Sequence, residues 1–231
     1  TERPELFAAA RISLGALGIV TSVTLQTVPL FALRADERPM PMPEVLDRFD
    51  ELAAASDHFE LYWFPHTQGA LTKHNTRIPL AEATAPLSGF RSWLDDDFLS
   101  NTVFGWTQKL ARVAPGAVRT VNRISTKALS PRVYTAPSYQ VFTSERRVRF
   151  CEMEYAIPRE TVVDVLRELD TAIERSGMRI SFPVEVRVAA ADDITLSTAS
   201  GRESAYVAVH MDNKQPHEQY FRLVESVMDD V

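Results

Sequence analysis

The stretch Ile180-Ser181-Phe182-Pro183-Val184-Glu185-Val186-Arg187-Val188 decides the fold, because its even-numbered positions are apolar throughout and its odd-numbered positions are small or charged. Side chains two apart on a strand share a face. One face of this strand therefore packs against helices, and Glu185 and Arg187 project together from the other. Outward from it, Val162, Leu166, Leu169 and Ile173 form one helical stripe opened by Pro158 and stopped by Gly177 at the position where a left-handed turn is cheapest. A strand is predicted over 147–155, another over 205–211, and a closing helix over 216–228 with Tyr220, Val224 and Val227 inward.

The same order precedes it. A short strand reaches about Arg34, a helix opens at Pro43 with Val45, Leu46, Phe49 and Leu52, and strands follow over 59–64 and 70–73. The fold class is therefore α+β: a mainly antiparallel sheet with helices packed on one face, in two βαββ-like halves. Between the halves, 79–137 is richer in proline, with Trp93, Trp106, Asn122 and Arg123 and helical spacing over 98–113. At the other end, the β-branched run Ile19-Val20-Thr21-Ser22-Val23-Thr24-Leu25 reads as a buried strand that lacks neighbours in the chain before it. An unpaired strand of this kind predicts self-association through 19–25.

Composition narrows the chemistry. The chain has 231 residues, 45% hydrophobic and 24% charged, with a net charge of −6. No apolar run approaches the roughly 20 residues of a membrane span. The acidic balance argues against nucleic acid as partner, and Arg146, Arg147 and Arg149 alternate with apolar residues beside Glu152 and Glu154 as a solvated strand face does. The single Cys151 excludes an intrachain disulfide and suits a reducing cytoplasm. The expected location is the cytoplasm, alone or peripherally at a membrane surface.

Several constellations in the sequence bear on chemistry. Glu185 and Arg187 on one face suit a polyol, since a carboxylate accepts hydroxyl hydrogen bonds and a guanidinium donates several in a fixed fork; an ordinary surface ion pair has the same pattern. His210 shares a face with Tyr206 and Ala208 and reaches the Glu185 and Arg187 surface if the two strands pair. Asp192 and Asp193 read as a turn or helix cap, and no metal site is predicted there or elsewhere. His58, His66 and His74 recur every eight residues, a spacing that no helix or strand face converts into a metal triad. The chain carries no phosphate-cradling GxxxxGK loop, no GxSxG elbow and no HExxH.

At Leu14-Gly15-Ala16-Leu17-Gly18-Ile19-Val20-Thr21 the chain resembles the closing stretch of the flavin-binding domain in vanillyl-alcohol-oxidase-type enzymes. The rest resembles the sugar-1,4-lactone oxidase group. The matching runs are Asp57-His58-Phe59-Glu60, Phe64-Pro65, Arg147-Val148-Arg149-Phe150, Glu152 to Glu160, Phe182 to Arg187, Leu196-Ser197-Thr198-Ala199 and Ala208-Val209-His210.

The resemblance implies an FAD-dependent oxidoreductase acting on a sugar lactone or polyol, with oxygen or an electron carrier such as a cytochrome as acceptor. It implies that 1–28 is the terminal segment of an FAD-binding domain, with the last strand of that domain preceding the sheet, and that 29–231 is the cap or substrate-binding domain. It implies catalytic and substrate roles for Glu185, Arg187 and His210, a substrate contact at Asp212 where relatives carry threonine, and flavin contacts at Gly15, Gly18, Ile19 and Val20. The loop that cradles the flavin pyrophosphate and the run that supplies an active-site lysine are expected outside this stretch of chain. Two rivals stand beside this reading: a noncatalytic α+β ligand-binding or interaction module, and, further off, a metal hydrolase.

Overall fold

The computed structural model describes residues 3–89, 104–143 and 147–229. After a short helix α1 (Pro4–Ala10), the chain builds β1 (Ala32–Pro41), α2 (Met42–Asp47), α3 (Phe49–Ala54), β2 (His58–Trp63) and β3 (Gly69–Ile78). The middle section contributes α4 (Phe104–Val113), α5 (Val118–Ala128), β4 (Arg132–Pro137) and α6 (Ser138–Phe142). The second half follows as β5 (Phe150–Pro158), α7 (Val162–Ser176), β6 (Val184–Ala189), β7 (Ser204–Asp212) and α8 (Glu218–Met228). Trp93, Arg146 and the part of the expected 98–113 helix before Phe104 lie outside the described residues.

The strands form one sheet in the order β4-β1-β3-β2-β6-β7-β5, and every neighbouring pair is antiparallel. Each half follows one rule: its first strand pairs with its third, and its third with its second. The halves join through their second strands, β2 and β6, so the two expected βαββ units make one continuous surface.

One face of that surface is dry. Leu61 and Trp63 of β2, Val184 and Val186 of β6, and Val207 and Val209 of β7 are buried in a single core with Val165, Leu166, Leu169 and Ile173 of α7 and Tyr220 and Val224 of α8. Val45 of α2 and Phe49 of α3 extend the same core beneath the first half. The 3.6-residue stripe of α7 places its apolar side chains on the sheet, and Gly177 ends it at φ +71, a left-handed conformation that glycine adopts without strain.

Two expectations needed correction. The apolar run Ile19 to Leu25 forms no strand; Ile19 is 94% exposed and Leu25 77% exposed. Apolar, β-branched sequence favours a strand only when another edge is at hand to pair with, and neither edge of this sheet, β4 or β5, pairs with it. The strand that was expected from Ile180 begins instead at Val184, after Pro183, which has no N–H to donate to a ladder. β4 and α5 lie in the proline-rich middle section, where no element was expected beyond the 98–113 helix.

Candidate functional site

The second face of the sheet carries charge. In register, Glu185 of β6 sits opposite Tyr62 of β2 and Ala208 of β7, while Arg187 sits opposite Glu60 and Tyr206. On β5, Glu154 faces Ala208 and Glu152 faces His210. Residues directly opposite one another share a face. The antiparallel β6–β7 pairing thus brings Glu185, Arg187 and His210 to one surface, as the alternation in both strands anticipated.

Arg187 is held from two sides. Its Nη2 donates to the Glu154 carboxylate, and its Nε lies 3.4 Å from Glu185 Oε1. Partial burial works against its charge, but the Glu154 hydrogen bond and the nearby carboxylates of Glu154, Glu185 and Glu60 outweigh it, so its pKa is raised. The side chain of Glu185 is only 8% exposed, whereas that of Arg187 keeps 43% of its surface open. A guanidinium anchored at one edge and open at the other retains N–H groups for an incoming oxygen.

His210 is buried and has a defined orientation. Its Nδ1 lies 3.3 Å from the Pro183 carbonyl oxygen, which accepts a hydrogen bond only from a protonated Nδ1. That tautomer leaves a lone pair on Nε2. Among the described residues Nε2 has no hydrogen-bond partner, although Glu152 Oε1 is 3.5 Å away at ion-pair distance. The ring is packed by Phe150, edge-on at 5.0 Å between centroids, and by Phe182, stacked at 6.2 Å. His58 Nε2 and Tyr220 Oη are also buried and unpartnered, but His58 is far along β2, against Phe142, and Tyr220 belongs to the helix-side core.

Asp212 lies on the same face two residues beyond His210, but its carboxylate has local work. It accepts the Lys214 N–H at 2.8 Å and lies 4.0 Å from Arg112 of α4. Asp192 likewise accepts the Ile194 N–H at 2.8 Å and the Ser197 hydroxyl, forming a turn. Thr198 of that loop meets the Tyr206 hydroxyl at 2.7 Å, which fastens the loop beside Arg187.

Gly15, Gly18, Ile19 and Val20 are not brought to this surface by the described residues; all four are exposed. Gly15 at φ +74 and Gly18 at φ +110 use backbone conformations that favour glycine, and a Cβ on either would meet nothing within 4 Å. Their backbone is open to approach.

Sequence reasoning missed the clamp behind the site. Asn122 of α5 donates to the carbonyls of Pro65 and Ile180, both at 2.9 Å. His66 is in a left-handed conformation at φ +65 and its side chain is fully buried; its Nε2 accepts the Ile180 N–H at 3.0 Å and its Nδ1 pairs with Glu174 at 2.6 Å. Glu174 also takes Arg119; burial pushes its pKa up, yet His66 and Arg119 outweigh this and the result is a lowered value. Gln108 of α4 accepts the Ser181 hydroxyl at 2.6 Å. Together these fix 180–183, the segment whose Pro183 carbonyl orients His210. Glu152 and Glu154, which the sequence presents only as part of a solvated strand face, have the same i, i+2 spacing that singles out Glu185 and Arg187.

Comparison with known proteins adds three findings. A profile of the family "ALO: D-arabinono-1,4-lactone oxidase" matches residues 23–231. The L-gulono-1,4-lactone dehydrogenase of Mycobacterium tuberculosis is 40% identical over 224 residues, which are 97% of this chain and 52% of that protein, and the L-gulonolactone oxidase of Bos taurus is 32% identical over 97% of this chain and 51% of its own length. The chain thus spans about half the length of the curated relatives it matches. Among solved structures, cholesterol oxidase from Brevibacterium sterolicum superposes with a TM-score of 0.67 at 17% identity, over 89% of this chain and 47% of that one, a likeness of fold.

Proposed function

The chain belongs to the D-arabinono-1,4-lactone oxidase family, and on that premise we propose that it forms the substrate-binding cap of an FAD-dependent oxidoreductase acting on a sugar-1,4-lactone or polyol CH–OH group. In this reading 29–231 is the cap and 1–28 is the terminal segment of the FAD-binding domain, with Gly15, Gly18, Ile19 and Val20 at the flavin-facing edge. When bound, FAD supplies the hydride acceptor.

The residues of this chain bind, orient and move a proton. Arg187 directs its open N–H groups at lactone or hydroxyl oxygens, and Glu185 accepts from substrate hydroxyls; together they fix which carbon is presented. His210, held as the Nδ1–H tautomer by Pro183, accepts the hydroxyl proton at Nε2, and Glu152 offsets the positive charge that forms on the ring. Asp212 takes part as a substrate contact only where its carboxylate is not held by the 212–215 turn. The observation that carries the reading is the buried, unpartnered Nε2 of His210 on the face that also carries Glu185 and Arg187.

The substrate is of the L-gulono- or D-arabinono-1,4-lactone type, and oxygen or an electron carrier such as a cytochrome reoxidises the enzyme. Self-association through 19–25 and a cytoplasmic location, with peripheral attachment to a membrane, belong to the same proposal. The test is anaerobic mixing of the flavin-loaded protein with L-gulono-1,4-lactone, D-arabinono-1,4-lactone and a set of alditols. Saturable bleaching of the flavin by at least one lactone is expected. A flavin that none of them reduces would leave a noncatalytic binding module as the better reading.

A further inference from the structure

On the helix side of the sheet, α2 and α7 stand apart over β2 and line a cavity of about 330 Å³. Its floor residue Trp63 pairs with Val184, one place along from the pairing of Tyr62 with Glu185, so the cavity and the charged surface lie on opposite faces of the sheet. The volume falls at the lower end of the roughly 300–1,000 Å³ of small-molecule sites, room for one compact ligand. The floor and inner wall are apolar. Trp63 of β2 and Leu166 of α7 are each 1% exposed and belong to the main core, and Leu46 of α2 packs half-buried against that core.

The rim carries charges that are unequally matched. Arg167, the one basic residue among the described residues that line the cavity, lies 3.6 Å from Asp47 and 3.4 Å from Asp164, and so is committed to two carboxylates. Asp170, three residues further along α7, is half-buried and makes no hydrogen bond or ion pair with the described residues. Burial raises its pKa, and the neighbouring Glu174 carboxylate adds to this against the opposing pull of His66. A carboxylate so placed has given up water without gaining a partner, and a cation brought to it restores what burial removed. Among the described residues no group of His, Cys, Asp and Glu side chains is arranged to hold a metal ion, so the cation that fits is an organic one.

We propose that this cavity is a second ligand site, for a small organic amine whose ammonium group meets the Asp170 carboxylate and whose apolar body covers Trp63, Leu166 and Leu46. The ammonium donates charge-assisted hydrogen bonds to the carboxylate, the stronger kind, and it does so where water is partly excluded. An indole on the floor also favours a cation over a neutral head group, because the face of its ring is electron-rich. The apolar body supplies the rest of the affinity by covering surface that is otherwise wet. An anion is disfavoured by Asp47 and Asp170 together, and an uncharged, polyhydroxylated lactone leaves both the carboxylate and the apolar floor unmatched. The two faces of the sheet therefore select different ligands, and the proposal stands independently of the lactone chemistry.

The test is isothermal titration of the intact protein at neutral pH with three probes that share one aromatic body: phenethylamine, phenethyl alcohol and hydrocinnamate. Saturable binding of the amine at one site is expected, with the alcohol weaker by about tenfold or more, the ratio that a lost charge-assisted hydrogen bond gives, and no binding of the carboxylate. Asp170→Asn should bring the amine down to the affinity of the alcohol while leaving the alcohol unchanged, and Asp170→Glu, which keeps the charge, should retain part of the preference. The Asn variant removes an unpaired carboxylate and should melt no lower than the wild type; if it misfolds, the ratio of amine to alcohol in the wild-type protein still decides. Absence of amine binding, equal binding of amine and alcohol, or wild-type amine binding by Asp170→Asn overturns the proposal. Lactone turnover in the Asp170 variants should be unchanged, so a failure here is distinct from a failure of the catalytic reading.

Discussion

The two halves of the sheet share one topology and treat charge on their open face differently. In the half built from β1, β2 and β3, Glu37 is closed off: Arg132 of the added strand β4 donates Nε at 2.8 Å and Nη2 at 2.9 Å to its two carboxylate oxygens, and both side chains are largely buried. In the half built from β5, β6 and β7, the carboxylates of Glu152, Glu154 and Glu185 face one guanidinium and one imidazole, and the imidazole keeps an unpartnered nitrogen. A closed bidentate pair holds structure in place. A convergent set with more acceptors than donors, and one group oriented but unpaired, is prepared to bind something.

The largest test of that contrast exchanges one arginine in each half. Arg187→Ala is expected to lower kcat/KM of the flavin-loaded enzyme by about 100-fold or more, since charge-assisted hydrogen bonds are worth about 1.5 to 3 kcal/mol each. Arg187→Lys should recover part of this loss, because a point charge does not reproduce a planar fork. Arg187→Lys, which keeps a positive charge beside Glu154 and Glu185, should shift the melting temperature little, because the side chain it replaces is half-exposed. Arg132→Ala should do the reverse, leaving turnover near wild type while costing about 3 kcal/mol, because it strands a buried carboxylate. If Arg132→Ala damages turnover as Arg187→Ala does, the halves are not divided in the way described.

The clamp behind the site sharpens the contrast. Asn122→Ala removes two buried hydrogen bonds and should cost about 2 kcal/mol by chemical denaturation. It should also disturb His210, so ring nitrogen shifts in a two-bond proton–nitrogen spectrum are expected to move away from the Nδ1–H tautomer. Loss of stability with an unchanged His210 signature would mean that the clamp acts on the fold alone. Glu185→Gln is a smaller step. It should raise KM about tenfold with kcat little changed, since shape is kept and one charge-assisted hydrogen bond is weakened.

The smallest effect concerns pH and belongs to the first half. Burial lowers the pKa of His58, with Arg77 assisting, and burial also lowers that of His74. The unfolded chain then binds protons at these rings more readily than the folded one, so stability is present above the ordinary histidine value of about 6.5 and is lost as pH falls through it. Asp36, held low chiefly by its hydrogen bond from Arg38, adds a second loss as pH falls below the ordinary carboxylate range. Melting curves of His74→Gln should flatten the first of these steps. An unchanged slope would show that the ring stays neutral in both states for another reason.

The sequence announced those elements whose signal is local. The α7 stripe from Val162 to Ile173 and its Gly177 stop, together with the alternation in β6 and β7, need no distant information. The meeting of Glu185, Arg187 and His210 was legible because one assumption, pairing of consecutive strands, fixes the register. What stayed hidden depends on contacts distant in sequence. Asn122 reaches carbonyls 57 and 58 residues away, and nothing in its neighbours foretells that. The strand β4 lies among prolines, which an edge strand tolerates but which mask its pattern. The run Ile19 to Leu25 misled in the opposite direction, since apolar β-branched sequence states a demand for burial without naming the surface that meets it.

The most direct test of the central claim is a crystal structure of the flavin-loaded protein with a bound, unreactive lactone analogue. Lactone oxygens are expected within hydrogen-bond distance of the Arg187 guanidinium and the Glu185 carboxylate, with a ring hydroxyl at His210 Nε2. A lactone seated instead on the helix side, in the roughly 330 Å³ cavity lined by Met42, Trp63, Leu166 and Asp170, would contradict it.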